Sequence, residues 1–360
     1  MIRLFVMFLS IIVTAGIVLV VMQSPTWKTG RVSSDPLDLV NGGPEVARPG
    51  RLWIDTDAAC GVTPGTDPDD CLAIVWLASR GFDIIGISTS FGNASGGIVE
   101  QTVKSLVAKM TQNGMPTVPV WKGLAGPQSS GEGITEPGVT ELRVALKSGP
   151  LTILAIGPLT NVAAALEGRP DLQRNVSSIV AVMGHRPGHL FHPSEGNGSG
   201  AMFGHGPIFR DLNLSTDPDA AKQVLAMNLA LVLIPYDAAK SVMITGKDLD
   251  RLSVQGAVFR NVAEKARGWL GFWNKDIGLP GFYPFDWVAA SYLANPNQFG
   301  CAQIKARVSW EWAFWLIPQD ALLIGDISSG VDEESNVRYC PQSAPSVHDF
   351  LLSSHTRLAP

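Results

Sequence analysis

Two groups of carboxylates stand close together early in the chain. Asp55-Thr56-Asp57 follows the apolar stretch Leu52-Trp53-Ile54, and Asp67-Pro68-Asp69-Asp70 comes shortly after. Carboxylates sharing one cleft repel, which raises the pKa of one or more of them unless a cation or a cationic transition state offsets the charge. Oxygen-only ligation suits a hard ion, either calcium with about six to eight donors or magnesium in a tighter octahedron. The cysteines stand apart from the histidines in no zinc-like spacing, so a soft zinc site fits less well. Read singly, Asp55 and Asp67 to Asp70 are turn and cap residues, Asn93 is a turn residue, and Asp286 is an N-cap before an apolar helix.

The elements that must position these groups follow from the apolar pattern. Strands are expected at Leu52–Ile54, Asp83–Thr89, Thr117–Trp121, Leu151–Ile156, Ser178–Met183 and Leu231–Ile234. Helices are expected at Cys71–Ser79, Ile98–Met110, Thr140–Lys147, after Thr160 through Ala165, from Asp217 to Met227, over Leu249–Trp273, and over Asp286–Ala294. Val308–Ile317 and Ala321–Ile324 read as late strands. Alternating strand, polar loop and helix predict an α/β fold, a mostly parallel central sheet with helices on both faces. Ligands of such sheets bind beyond the carboxyl ends of the strands. Asp55, Asp57, Asn93, Thr160 and His185 all fall at expected strand ends. Pro68 suits the first turn of a helix, where Asp69 and Asp70 also complement the free N–H groups.

The 360 residues are 46% hydrophobic and 16% charged, enough for a large core. A net charge of −5 with 27 Lys plus Arg spread along the chain leaves no footprint for nucleic acid. A small, weakly polar substrate fits better. Met1-Ile2-Arg3 precedes an uncharged apolar run from Leu4 to Met22, which reads either as an uncleaved membrane anchor or as a cleaved export signal. Both place the remainder outside the cytoplasm, periplasmic or extracellular. The expected division is 1–23 anchor or signal, 24–50 tether, 51–340 a single domain, and 341–360 a C-terminal tail. Four cysteines, Cys60, Cys71, Cys301 and Cys340, allow one or two disulfides. A Cys60–Cys71 bridge would fix the loop beside the acidic groups; otherwise the two are unrelated thiols.

In combination these motifs resemble the inosine-uridine-preferring nucleoside hydrolase family. The resemblance rests on Asp55-Thr56-Asp57, on Asp69-Asp70 leading into Cys71-Leu72-Ala73-Ile74, on Ser88 to Asn93, on Gly157-Pro158-Leu159-Thr160-Asn161, on Asp211-Leu212-Asn213 leading to Asp217-Pro218-Asp219, and on Pro284-Phe285-Asp286. It implies a Rossmann-like nucleoside hydrolase fold and a calcium-dependent N-ribosyl hydrolase. It also implies that Asp57, Asp70, Asp286 and the main-chain carbonyl of Thr160 hold Ca2+, with Asp55 close to the ion. Asp57 would be the general base, and Asp69, Asn93, Asp211 and Asn213 would hold the ribose hydroxyls. Homo-oligomers are an expectation of the same kind.

The chain also departs from the family pattern. Ala58 to Pro68 is an insertion between the two acidic groups, which either bulges outward and leaves Asp69-Asp70 to dock normally, the favoured reading, or reshapes the sugar pocket. Phe285 stands where purine-active relatives commonly carry a histidine that protonates the leaving base, and Phe has no proton to supply. The family's other characteristic histidine is missing from the segment 123–138. His205 replaces an expected asparagine, and Asp211 an expected glutamate. His185, His189 and His192 are substitute acids if their loop covers the pocket, and Trp269, Trp273, Trp287 and Tyr283 are candidates to stack on a base. The second reading is a riboside-binding protein that keeps the metal and sugar pocket without catalysis.

Overall fold

The computed structural model describes residues 39–41, 49–128, 133–184, 211–313, 317–325 and 335–353. A short β1 (Val40–Asn41) comes before β2 (Leu52–Thr56), α1 (Asp69–Ser79), β3 (Ile84–Thr89), α2 (Gly96–Gln112), β4 (Val120–Lys122), α3 (Pro137–Lys147), β5 (Leu151–Ala155), α4 (Thr160–Leu166), α5 (Pro170–Gln173) and β6 (Val176–Ala181). Then come α6 (Leu212–Thr216), α7 (Pro218–Ala226), β7 (Leu231–Leu233), α8 (Tyr236–Ala239), β8 (Ile244–Thr245), α9 (Gly246–Ser253) and α10 (Ala257–Phe272). The last elements are β9 (Gly281–Phe282), α11 (Phe285–Ala294), β10 (Phe299–Ala313), β11 (Ile317–Gly325), β12 (Ser335–Ser343) and α12 (Ser346–Leu352).

Among the described residues ten strands form the main sheet, in the order β1-β10-β12-β7-β6-β5-β2-β3-β4 with β11 on β10. From β12 to β4 every pairing is parallel; β10 runs the other way, so its three pairings, with β1, β11 and β12, are antiparallel. Side chains alternate across the pleat, so each central strand feeds two cores. Leu52, Ile54, Leu154 and Val180 pack on one face with α1, α2, α10 and α11, while Trp53, Ile153, Ala155 and Ile179 pack on the other with α3, α4 and α7. The expected mostly parallel sheet covered on both faces is therefore present, and its central strands are apolar throughout because both faces are buried.

Two differences from the expected elements have physical causes. The helix read over Leu249–Trp273 is two helices, because Gly256 holds φ at +139°, outside the helical region. The tail drawn from 341 starts inside β12 and continues into α12, whose Val347, Leu351 and Leu352 are buried. Trp76 of α1 and Arg80, which follows that helix, donate to carbonyls of this segment, at Leu351 and Phe350. The apolar segment at residues 4–22, residues 1–23 as a whole and most of the tether lie outside the described residues. Among the described residues no helix is long and apolar enough to cross a membrane.

Candidate active site

The acidic residues converge because each sits where a parallel strand ends or a helix begins. Asp57 follows β2, Asp69 and Asp70 open α1, and Asp286 lies in the first turn of α11. Carboxylate oxygens of Asp69, Asp70 and Asp286 all lie within 4.8 Å of one another. Asp69 Oδ2 accepts from the Asp286 N–H at 2.9 Å, which caps α11 and locks the two helix starts together. Asn93, in the loop after β3, donates its main-chain N–H to Asp57 Oδ2 at 2.8 Å, and its Nδ2 lies 3.3 Å from both Asp57 Oδ1 and Asp70 Oδ2. Thr56 donates its hydroxyl to Asp70 Oδ1. Next to Asn93, Gly92 has φ +151°, and a Cβ there would lie 2.0 Å from Asp57 Oδ2. The backbone touches the carboxylate and leaves no room for a side chain.

This assembly carries charge that no described basic side chain neutralises by an ion pair. Burial pushes Asp57 up to about 7; the Asn93 N–H pulls it back, and the charge of Asp69 adds to the rise. Burial, then the charges of Asp57 and Asp69, hold Asp70 well above the usual carboxylate range. Burial, then the charges of Asp69 and Asp70, do the same to Asp286. Clustered buried oxygens without a counter-cation fit a hard divalent ion, which is what an oxygen-only donor set selects.

The cluster forms one side of a cavity of about 330 Å³. Asp57, Asp69, Asn93, Asp211, Asn213 and Asp286 give it a polar side; Val182, Met183, Leu212, Tyr236, Trp269 and Phe285 give it an apolar one. Asp211 N-caps α6 by accepting from Leu214 N at 3.1 Å and also accepts from Gly184 N at 2.7 Å. Asn213 donates to the carbonyls of Val182 and Ile156, tying two strand ends together. Phe285 packs against Tyr236 with ring centroids 5.4 Å apart.

Comparisons with known proteins bear on the family and the fold. The model of the inosine-uridine preferring nucleoside hydrolase family matches residues 52–338. The chain belongs to this family. A pyrimidine-specific ribonucleoside hydrolase of Salmonella enteritidis is 26% identical over 64% of this chain and 78% of its own length. A probable uridine nucleosidase of Oryza sativa is 25% identical over 72% of this chain and 81% of its own length. Among solved structures, a plant nucleoside hydrolase superposes with a TM-score of 0.67 at 18% identity, covering 84% of this chain and 98% of that one. A purine-preferring ribonucleoside hydrolase from Gardnerella vaginalis gives 0.65 at 20% identity, covering 84% and 96%. The two structures share the fold.

Against the residues expected of a nucleoside hydrolase, two placements differ. Asp55 sits behind the pocket wall, its Oδ1 accepting from Ser88 and from Asn161 at 2.8 Å, and its Oδ2 is buried without a partner. Burial pushes its carboxyl up to about 7, opposed by those two donors. Thr160 opens α4, gives its hydroxyl to Asp217 at 2.6 Å, and is absent from the wall; Ile156, earlier in the same loop, is the residue that lines it. His205, together with His185, His189 and His192, lies outside the described residues. Of the aromatic candidates only Trp269 lines the cavity, while Trp273, Trp287 and Tyr283 are core residues.

The insertion does not bulge away. Thr63, Gly65, Thr66 and Asp67 line the cavity. Cys60 and Cys71 are bridged, which ties the loop to α1 next to Asp70. Pro64 lies against Gly268 of α10, where a Cβ would come within 2.3 Å of its carbonyl oxygen. Thr63 N–H and Thr66 Oγ1 close the turn at 3.1 Å. Asp67 brings a further carboxylate, held well above its usual range by burial and then by the charge of Asp69. The flanking cysteines were the available signal for this wall.

Proposed function

We propose that the protein hydrolyses the N-glycosidic bond of a ribonucleoside or related riboside in a calcium-dependent reaction, releasing ribose and free base. The observation that carries this reading is the meeting of Asp57, Asp69, Asp70 and Asp286 beside Asn93, Asp211 and Asn213 in one cavity with an aromatic far side. Asp57, Asp70 and Asp286 would hold the ion, with Asp69 against it and Ile156, which lines the cavity, offering a main-chain carbonyl. When bound, calcium supplies an acidified, positioned water.

The remaining chemistry belongs to the chain. Asp57 takes the proton of the attacking water as general base. Asp69, Asn93, Asp211 and Asn213 bind the ribose hydroxyls, so a deoxyriboside would leave buried polar groups unpaired and react poorly. The carboxylates stabilise the positive charge that develops at the anomeric carbon. Trp269, Tyr236 and Phe285 hold the base by stacking and exclude water on that side. Phe285 offers no proton, so bases that leave as stable anions or are protonated from elsewhere react best.

A calcium-supplemented screen of purine and pyrimidine ribosides, read by release of free base, tests the reading. A folded, calcium-loaded sample that releases base from none of them would sink it. Asp57→Asn is expected to lower kcat by about 10²- to 10⁴-fold, the range for loss of a general base.

We also place the enzyme in an oxidising compartment outside the cytoplasm. Support comes from the two bridges Cys60–Cys71 and Cys301–Cys340, which leave no free cysteine. Recovery of the native chain from the cytoplasmic fraction alone would refute this placement.

A further inference from the structure

At the opposite end of the sheet, where β5, β6 and β7 begin, a second cavity of about 260 Å³ opens between the sheet and the last turn of α11. Its sheet side is a row of paired residues. Thr152 pairs with Ser178, Val180 with Val232, Val232 with Arg338, and Arg338 with Gln303. Tyr292 and Leu293 of α11 supply the facing wall.

Two donors in this cavity are unspent. Arg338 Nε is buried without a hydrogen-bond partner, and so is the hydroxyl of Tyr292, a residue only 2% exposed. Among the described residues no carboxylate lines the cavity, and none forms an ion pair with Arg338. Both residues line this one cavity, and the Arg338 charge opposes the rise that burial imposes on the Tyr292 phenol. Buried donors in native proteins are almost always paired with protein, water or ligand. A guanidinium edge beside a hydroxyl is a matched pair of donors for a carboxylate, which accepts at both oxygens. The rest of the wall, including Val180, Leu231, Val232 and Leu293, is apolar and would desolvate a hydrocarbon or aromatic body.

We infer that this cavity is a second ligand site, which binds a small organic monocarboxylate with an apolar body, Arg338 holding the carboxylate and Tyr292 donating to it. It shares no lining residue with the acidic pocket and does not depend on the riboside reading.

Calorimetric titration of the full chain, stripped of metal so that no anion acts by chelation, tests the site with phenylacetate, acetate and inorganic phosphate as probes. Phenylacetate is expected to bind saturably and acetate at least about tenfold more weakly, since acetate lacks the apolar body. Arg338→Met is expected to weaken phenylacetate by about tenfold or more, and Tyr292→Phe by roughly three- to tenfold. If Arg338→Met fails to fold, Tyr292→Phe carries the test, because it removes one oxygen that has no partner. Absence of saturable phenylacetate binding, unchanged affinity in the folded variants, or phosphate binding more tightly than phenylacetate would each overturn the assignment.

Discussion

Gly92 matters for what it lacks. Its φ of +151° and the 2.0 Å approach of a Cβ to Asp57 Oδ2 mean that Gly92→Ala must displace the carboxylate. Base release is expected to fall by about 100-fold or more, the usual cost of moving a reacting group by roughly 1 Å, and calcium affinity by calorimetry should fall with it. Titration of the same cluster gives a second expectation. Asp55 and Asp57 are raised from 3.8 to about 7 in the folded chain, so without metal the folded state binds more protons than the unfolded one. Their stabilising contribution is complete below pH 3.8 and is lost as pH rises through about 7. Thermal unfolding in EDTA should therefore show a falling Tm from pH 5 to 8, while added calcium, which needs the carboxylates deprotonated, should raise Tm more at pH 8 than at pH 5. A flat EDTA profile would contradict the burial argument. Most of the polar side was legible in the sequence, because Asp, Asn and their spacing are chemically distinctive. The main-chain donor was not, since a carbonyl belongs to every residue: the resemblance pointed to that of Thr160, whereas Ile156, at the start of the same loop, is the residue that lines the cavity.

At the scale of elements, the alternation of strands and helices was readable because each central strand is apolar throughout. What periodicity does not encode is where a loop goes. The insertion lies on the pocket because Cys60 is bridged to Cys71 and Pro64 meets Gly268, two contacts that depend on partners beyond the loop. Removing the bridge by Cys60→Ala with Cys71→Ala should cost about 3 kcal/mol in the chain-entropy model. Its functional signature is a higher KM with a smaller change in kcat, since the loop walls the cavity while Asp57, Asp70 and Asp286 stay on rigid elements. Steady-state kinetics on any accepted riboside checks this. Equal losses in both constants would show that the loop also positions the metal ligands. The strand β12 and helix α12 were missed for a related reason: their short apolar patterns acquire meaning only beside β7, β10 and α1.

At the scale of the whole molecule, the chain's end closes its beginning. Val347, Leu351 and Leu352 bury against the core that α1 anchors, and Arg80 lies over the rings of Trp76 and Phe350 while donating to the Phe350 carbonyl. Truncation after Ser343 should cost about 5 kcal/mol from the three apolar side chains alone, read as a fall in the urea midpoint. Helix α11 is where the two ends of the molecule meet. It is 10 residues long, about 15 Å, and it carries Asp286 in its first turn and Tyr292 near its last. Two ligands bound to one buried rod are subject to thermodynamic reciprocity: whatever factor calcium applies to the affinity for phenylacetate, phenylacetate must apply to calcium. Two titrations, each with the other ligand present and absent, measure that factor twice, and a value of one would mean that the helix keeps its two ends independent.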